Sequence, residues 1–340
     1  MAINLDWANL GFEYIPTPYK VKAVYKDGKW GKLEIFEEDY IPIHIAATTL
    51  HYGQEAFEGL KAYRGKDGKI RLFRWEENAK RLQSSARRLM MAEVPTELFH
   101  EAILTVVKKN MEYIPPYGTG ATLYIRPLLI GTGARVGVKP ADEYTFLVFV
   151  IPAGSYFKGG FKTQDFVIMR KYDRAAPLGT GHVKAGGNYA AGMIATEEAH
   201  QKGYANALFL DPKEKKYIDE AGPANFFGIK NNTYITPKSN SILPSITNKS
   251  LMDLAQHLGY KVEQRPIPVE ELSELEEAGA CGTAAVITPI GKIVDEEMNK
   301  TYVISKDGNP GPISTELYKN LTGIQFGEID DPFGWTEIVE

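Results

Sequence analysis

The stretch Gly179-Thr180-Gly181-His182-Val183-Lys184-Ala185-Gly186-Gly187-Asn188-Tyr189 decides how this chain reads. It places one lysine inside a glycine-rich turn that opens a helix. Glycines on both sides let another molecule come close to the backbone. A lysine shielded from solvent can lose its proton and act as a nucleophile, for instance in a Schiff base. Most lysines beside glycines are instead solvated turn residues. The turn alone therefore decides nothing. The question is whether distant residues supply the rest of a site.

Bulk properties narrow the classes. The 340 residues are enough for two domains with sizeable cores. A hydrophobic content of 44% and a charged content of 24% match an ordinary globular protein. The net charge of -4 argues against nucleic-acid binding, which usually shows a basic excess. No apolar run is long enough to span a membrane. The start, Met1-Ala2-Ile3-Asn4-Leu5, carries no secretory signal pattern, and a cytoplasmic location is expected. Cys281 is the one cysteine, which excludes an intrachain disulfide. The histidines are scattered, no pair has zinc-ligand spacing, and no metal is expected.

Working outward from Lys184, the N-terminal half reads as hairpins followed by helices. Asp27-Gly28 and Asp67-Gly68 are hairpin turns between apolar runs. A helical period covers Trp75–Met91, and Thr96 is placed to cap a second helix. Strands follow at Thr122–Leu129 and Tyr144–Ile151. Pro152 to Gly160 breaks the pattern and reads as a linker. The expected division is a small N-terminal domain over 1–152, a loop over 153–160, and a larger domain over 161–340. In the latter, Asn188 is placed to cap a helix that ends near Gly203. Ser245-Ile246-Thr247 leads into another helix. Glu270–Glu277 reads as a short acidic helix and Ala284–Thr288 as a strand. The mixture lacks regular βαβ alternation, which disfavours a doubly wound sheet and leaves an α+β class.

Several residues could complete a site. The Ser245-Ile246-Thr247 helix start could hold a phosphate on free N–H groups, although a plain cap is the commoner role. Arg74, at the end of a strand, could add a charged fork. Gly282-Thr283-Ala284 offers a hydroxyl and N–H groups in a turn. In Thr122–Leu129, period two places Tyr124 and Arg126 on one face. A buried arginine there needs an anion, either a structural carboxylate or a ligand. Glu220, at a turn between strands, could hold a proton on a ring nitrogen. Leu50-His51-Tyr52-Gly53-Gln54-Glu55-Ala56-Phe57-Glu58-Gly59 is either core or the wall of an apolar pocket. The Walker A, dinucleotide-fingerprint and Gly-x-Ser-x-Gly patterns are all absent.

Taken in order, these motifs resemble the branched-chain amino acid aminotransferases, class IV aminotransferases of PLP fold type IV. The likeness spans about residues 12 to 300. It implies a small α/β N-terminal domain, a larger pseudo-barrel C-terminal domain, and pyridoxal 5'-phosphate as cofactor. On this likeness Lys184 holds the cofactor as an aldimine and moves the substrate α-proton. Arg74, Ile246, Thr247 and Thr283 bind the phosphate. Glu220 pairs with the pyridine nitrogen, and Tyr189 with the phenolic oxygen. Tyr52, Phe57, Tyr124, Val138 and Tyr156 line the side-chain pocket, with Tyr52 and Val138 reaching in from a partner subunit. The N–H groups of Thr283 and Ala284 hold the α-carboxylate, and Arg126 accepts the second carboxylate of glutamate. The implied reaction transfers the amino group of L-leucine, L-isoleucine or L-valine to 2-oxoglutarate. A homodimer or higher homo-oligomer is implied, with sites near the subunit interface. D-Amino acid aminotransferase and 4-amino-4-deoxychorismate lyase are rivals on the same scaffold. They would keep Lys184, Arg74 and Glu220 but typically lack the long N-terminal arm and the Tyr-Ile-Arg-Pro strand. The Cys-x-x-Cys pair of mammalian members is missing, since Ala285 and Thr288 stand at those positions.

Overall fold

The computed structural model describes residues 5–154 and 161–339. Tyr156 and most of the expected linker lie outside the described residues. The chain divides into two compact units. Met1–Tyr156, Val183–Gly186 and Gly323–Glu340 form the N-terminal unit, and Phe157–His182 with Gly187–Thr322 form the other. Lys184 thus packs with the N-terminal unit, whereas the sequence division put it in the C-terminal domain.

In the N-terminal unit the described strands form one nine-stranded sheet. Asp27 and Gly28 both adopt positive φ (52° and 79°), and Lys26 pairs with Lys29 across them. That is the turn geometry that a two-residue hairpin requires. The two longest strands, Thr122–Gly131 and Tyr144–Ala153, pair antiparallel along their whole length. Helices Trp75–Arg88 and Thr96–Lys109 supply Leu82, Ala86, Phe99 and Ile103 to a core shared with Leu123, Ile125 and Phe146 of those strands. Burying each of the larger side chains contributes roughly 1.5–3 kcal/mol. Tyr124 and Arg126 therefore fall on the opposite sheet face, as period two requires. The tail strand Thr336–Val339 pairs with Ile70–Phe73, an edge addition that the sequence reading did not anticipate.

In the C-terminal unit six strands close a ring: Ile218–Ala221, Asn206–Leu210, Gln164–Met169, Val286–Asp295, Glu277–Gly282 and Ala224–Lys230, which returns to the first. Two parallel pairs are bridged by crossover helices. Gly186–Gln201 links Gln164–Met169 to Asn206–Leu210, and Ile246–His257 links Thr233–Thr236 to Lys261–Gln264. Such crossovers are what parallel neighbours need.

The structure corrects several local expectations. Glu277 begins a strand, and the acidic helix is a short 3-10 turn over Val269–Glu274. After Glu277 the strand Glu277–Gly282 is built only of Ala, Gly and Cys, small residues that offer little to pack on a sheet. Pairing on both sides makes it a strand, and Gly279 leaves room for the Phe227 ring beside it. The expected strand Ala284–Thr288 begins at Val286 and runs to Asp295. Asn188 is not a cap: the helix already starts at Gly186, and the Asn188 amide donates to the Thr180 carbonyl (2.6 Å). Thr96 is the first helical residue rather than the cap, because Pro95 precedes it in extended backbone.

Candidate active site

The Lys184 segment is pinned at its backbone. Its N–H donates to the Ser85 hydroxyl (3.1 Å) on the Trp75–Arg88 helix. Its carbonyl accepts from the Phe57 N–H (3.0 Å). Two residues on, the Gly186 N–H donates to the Glu55 carboxylate. A Cβ at Gly186 would collide with that carboxylate, so the glycine is needed for close approach. These contacts fix the direction in which the lysine leaves the chain.

The Phe57 ring joins Lys184 to Arg126. Lys184 Nζ lies 4.6 Å from the ring centre, and the Arg126 guanidinium carbon lies 4.8 Å from it. Arg126 also sits 5.3 Å from the centre of the Tyr124 ring, and its Nη2 donates to the Tyr124 hydroxyl (3.0 Å). The aromatic faces hold the cation, and no carboxylate among the described residues is bonded to it. Its Nε is buried and finds no acceptor among the described residues. An orphaned donor of this kind is what an incoming carboxylate would satisfy. Burial raises the Glu55 carboxyl above its ordinary pKa, offset in part by the Gly186 N–H and the charge on Arg126.

The other predicted residues of this unit are placed as follows. Arg74 has a left-handed backbone (φ 48°) at the start of the Trp75–Arg88 helix, at the opposite end from Ser85. Its N–H donates to the Trp335 carbonyl (2.7 Å), and its guanidinium lies 4.7 Å from the Trp335 ring centre. Tyr52 is partly exposed, and its hydroxyl donates to the Val136 carbonyl. Val138 is 84% exposed and so closes no cavity within its own unit.

In the C-terminal unit Glu220 is 3% exposed. Its Oε1 accepts from the Asn225 amide (2.9 Å) and from the Leu243 N–H (3.1 Å). Its Oε2 lies 2.6 Å from Nε of Arg174, an ion pair by distance that is not aligned as a hydrogen bond. These neighbours set two donors and a cation against a buried carboxylate. Leu243 lies in the loop that leads into the Ile246–His257 helix. Ser245 caps that helix by accepting from the Asn248 N–H (3.2 Å). The first intrahelical bond runs from Lys249 N–H to Ser245 carbonyl (3.0 Å). The N–H groups of Ile246 and Thr247 come before it, the arrangement that suits a phosphate.

Thr283, Ala284 and Ala285 form the turn between Glu277–Gly282 and Val286–Asp295, and Gly282 pairs with Val286. Val286 has a positive φ (61°), an uncommon state for a β-branched residue, so the turn stores backbone strain. Tyr189 lies in the first turn of the Gly186–Gln201 helix. The N-terminal unit by itself carries an anchored amine, and the C-terminal unit by itself carries a buried acid and a helix end suited to an anion.

Sequence reasoning missed Ser85, Glu55, Trp335, Arg174, Asn225 and Asn248. Trp335 had a signal, because Phe333-Gly334-Trp335 is an aromatic pair in a polar tail. The others are ordinary polar residues whose partners lie elsewhere in the chain.

The amino-transferase class IV family model matches residues 55–293, which places the chain in that class. The branched-chain-amino-acid aminotransferase of Haemophilus influenzae is 52% identical over 99% of both chains. That of Helicobacter pylori is 51% identical over 98% of this chain and 97% of its own. Among solved structures, the Escherichia coli branched-chain amino acid aminotransferase aligns with a TM-score of 0.78 at 27% identity, covering 94% of this chain and all of the other. The Thermobaculum terrenum enzyme in its PLP form gives 0.78 at 25% identity, covering 95% and 99%. The chain belongs to the branched-chain-amino-acid aminotransferase family.

Proposed function

We propose that this protein transfers the amino group of L-leucine, L-isoleucine and L-valine to 2-oxoglutarate. The observation that carries the reading is the 52% identity along the whole chain to a branched-chain-amino-acid aminotransferase. The anchored Lys184 beside Phe57 and Arg126 supports it. The cofactor is pyridoxal 5'-phosphate, which when bound withdraws electrons from the substrate Cα.

In this reading Lys184 Nζ would anchor the cofactor, take the proton from the substrate Cα and pass it to the cofactor's C4′ carbon. Glu220 would keep a proton on the ring nitrogen. Ile246, Thr247, Thr283 and Arg74 hold the phosphate, and Tyr189 holds the phenolic oxygen. Thr283 and Ala284 receive the α-carboxylate. Phe57 and Tyr124 offer apolar faces to a branched side chain. Arg126 binds the second carboxylate of glutamate. When an apolar side chain is present, the arginine rests on the two rings. One pocket can therefore accept both substrate types. Tyr156, outside the described residues, completes the pocket on the family likeness alone.

We further propose a homodimer or higher homo-oligomer in the cytoplasm. Ile45, Val136 and Val138 are each more than 75% exposed, and Leu50 and Tyr52 are partly so. Leu50 and Tyr52 belong to the short helix Thr48–Tyr52 and the others to loops, tied by the Ala47–Ala134 bridge and the Tyr52–Val136 hydrogen bond. A clustered apolar surface of this kind suits burial against another subunit, with Tyr52 and Val138 offered to the partner's pocket. The division proposed along the chain is 1–152, 153–160 and 161–340, with Val183–Gly186 and Gly323–Glu340 packed into the first.

A panel of single half-reactions tests the assignment, read from the cofactor's absorbance. L-Leucine, L-isoleucine, L-valine and L-glutamate should each convert the cofactor to its amine form. Conversion by D-alanine but not by L-leucine would replace this reading with the D-amino acid aminotransferase.

A further inference from the structure

Two buried amides connect the ring-nitrogen acid to the phosphate-holding helix. Asn225 donates one amide proton to Glu220 Oε1 (2.9 Å) and the other to the Leu243 carbonyl (3.1 Å). Its own oxygen accepts from the Asn248 amide (3.3 Å). Asn248 stands in the first turn of the Ile246–His257 helix, next to Thr247. Its second amide proton goes to the Thr236 hydroxyl (2.9 Å), and its oxygen accepts from the Tyr234 hydroxyl (2.7 Å). Asn225, Asn248, Tyr234 and Thr236 are all buried, so every bond in the chain is shielded from water. Both amides use both of their donor protons, and each oxygen has a donor.

This arrangement asks for an explanation. The N–H of Asn248 already has the Ser245 cap as its acceptor, so capping does not call for the Asn248 side chain. Burying a primary amide in addition costs desolvation and is tolerated only with full pairing. What the extra amide accomplishes is geometric. It ties the helix end to the strand Ala224–Lys230, and through Asn225 to the carboxylate on the neighbouring strand. We infer that Asn248 is a positioning residue: acting through Asn225, it fixes Glu220 relative to the phosphate-holding turn, so that one rigid cofactor meets both ends in register. This rests on the assignment of Glu220 to the ring nitrogen and of the Ile246 helix end to the phosphate. Asn248 would touch neither group. A displacement of well under 1 Å at either end is enough to weaken a hydrogen bond to a rigid ligand.

The test is a binding cycle on the full chain stripped of cofactor. Dissociation constants are measured for pyridoxal 5'-phosphate and for its analogue with C–H in place of the ring nitrogen. The ratio of the two reports the ring-end contact alone. The wild type should prefer the natural ring. In Asn248→Ala that preference should fall by about three- to tenfold, the effect of weakening one hydrogen bond to a charged group. A purely structural role would weaken both ligands equally and leave the ratio unchanged, which would overturn the inference. Asn248→Ser, a smaller disturbance that keeps a hydroxyl, gives the same reading if the alanine variant fails to fold. Glu220→Gln should abolish the preference. If the wild type itself shows no preference, the Glu220 assignment fails and takes the inference with it. If the preference survives in both Asn248 variants, only the inference fails.

Discussion

Replacing Arg126 with methionine separates the two substrates that one pocket must serve. Methionine keeps the unbranched stem and removes the guanidinium. The effect on stability follows from the contacts. Removing the buried Nε that lacks an acceptor relieves about 1–3 kcal/mol. Losing the faces of Phe57 and Tyr124 costs roughly 0.5–1 kcal/mol each, and losing the bond to the Tyr124 hydroxyl costs about 1 kcal/mol. These nearly cancel, and Arg126→Met should fold with a stability within about 1 kcal/mol of the wild type. The effect on substrate does not cancel. A carboxylate bound to the guanidinium contributes about 1.5–3 kcal/mol, or roughly 10- to 150-fold in kcat/KM. Stopped-flow half-reactions should show that loss for L-glutamate and less than about threefold for L-leucine. Equal losses for the two, or a larger loss for leucine, would refute the role assigned to Arg126.

Other consequences can be checked separately. Burial lowers the Lys61 ammonium pKa to about 8 from 10.5. Between those values the unfolded chain holds a proton that the folded chain has lost, so stability should rise with pH across that window. Denaturant titrations of Lys61→Met should lack this rise, which amounts to on the order of 3 kcal/mol; an unchanged pH dependence would contradict the buried lysine. Burial pushes the Cys281 thiol up to about 12. Iodoacetamide at pH 8 should therefore label the folded protein at least about a hundredfold more slowly than the unfolded chain, and comparable rates would show the thiol to be accessible. Ser85→Ala leaves the Lys184 N–H without its hydroxyl acceptor. It should cost about 1 kcal/mol in denaturant stability, and a loss below about 0.3 kcal/mol would mean that Ser85 does not hold the lysine segment.

What the sequence made legible was whatever depends on local pattern. Period two in Thr122–Leu129 placed Tyr124 and Arg126 on one face, and the structure joins them by a hydrogen bond. Ser245 showed itself as a cap because serine ahead of an apolar period is a local signature. Glu277–Gly282 was not legible, since its small residues become a strand only when two neighbours pair with them. Arg174, Asn225 and Asn248 escaped for a related reason. Each is unremarkable until the ring of strands brings it to Glu220 or to the helix start. Lys184 lay between these cases. Its motif was visible, but the contacts that aim it come from Phe57, Glu55 and Ser85, all from the first quarter of the chain.

The central claim is that Lys184 carries the cofactor, and chemical trapping tests it most directly. Borohydride reduction of the pure yellow protein, followed by peptide mapping, should place the reduced pyridoxyl group on the peptide containing Lys184. Lys184→Ala should leave no stable adduct. A label on any other lysine, or a wild-type protein that gains no absorbance band with added pyridoxal 5'-phosphate, would contradict the account.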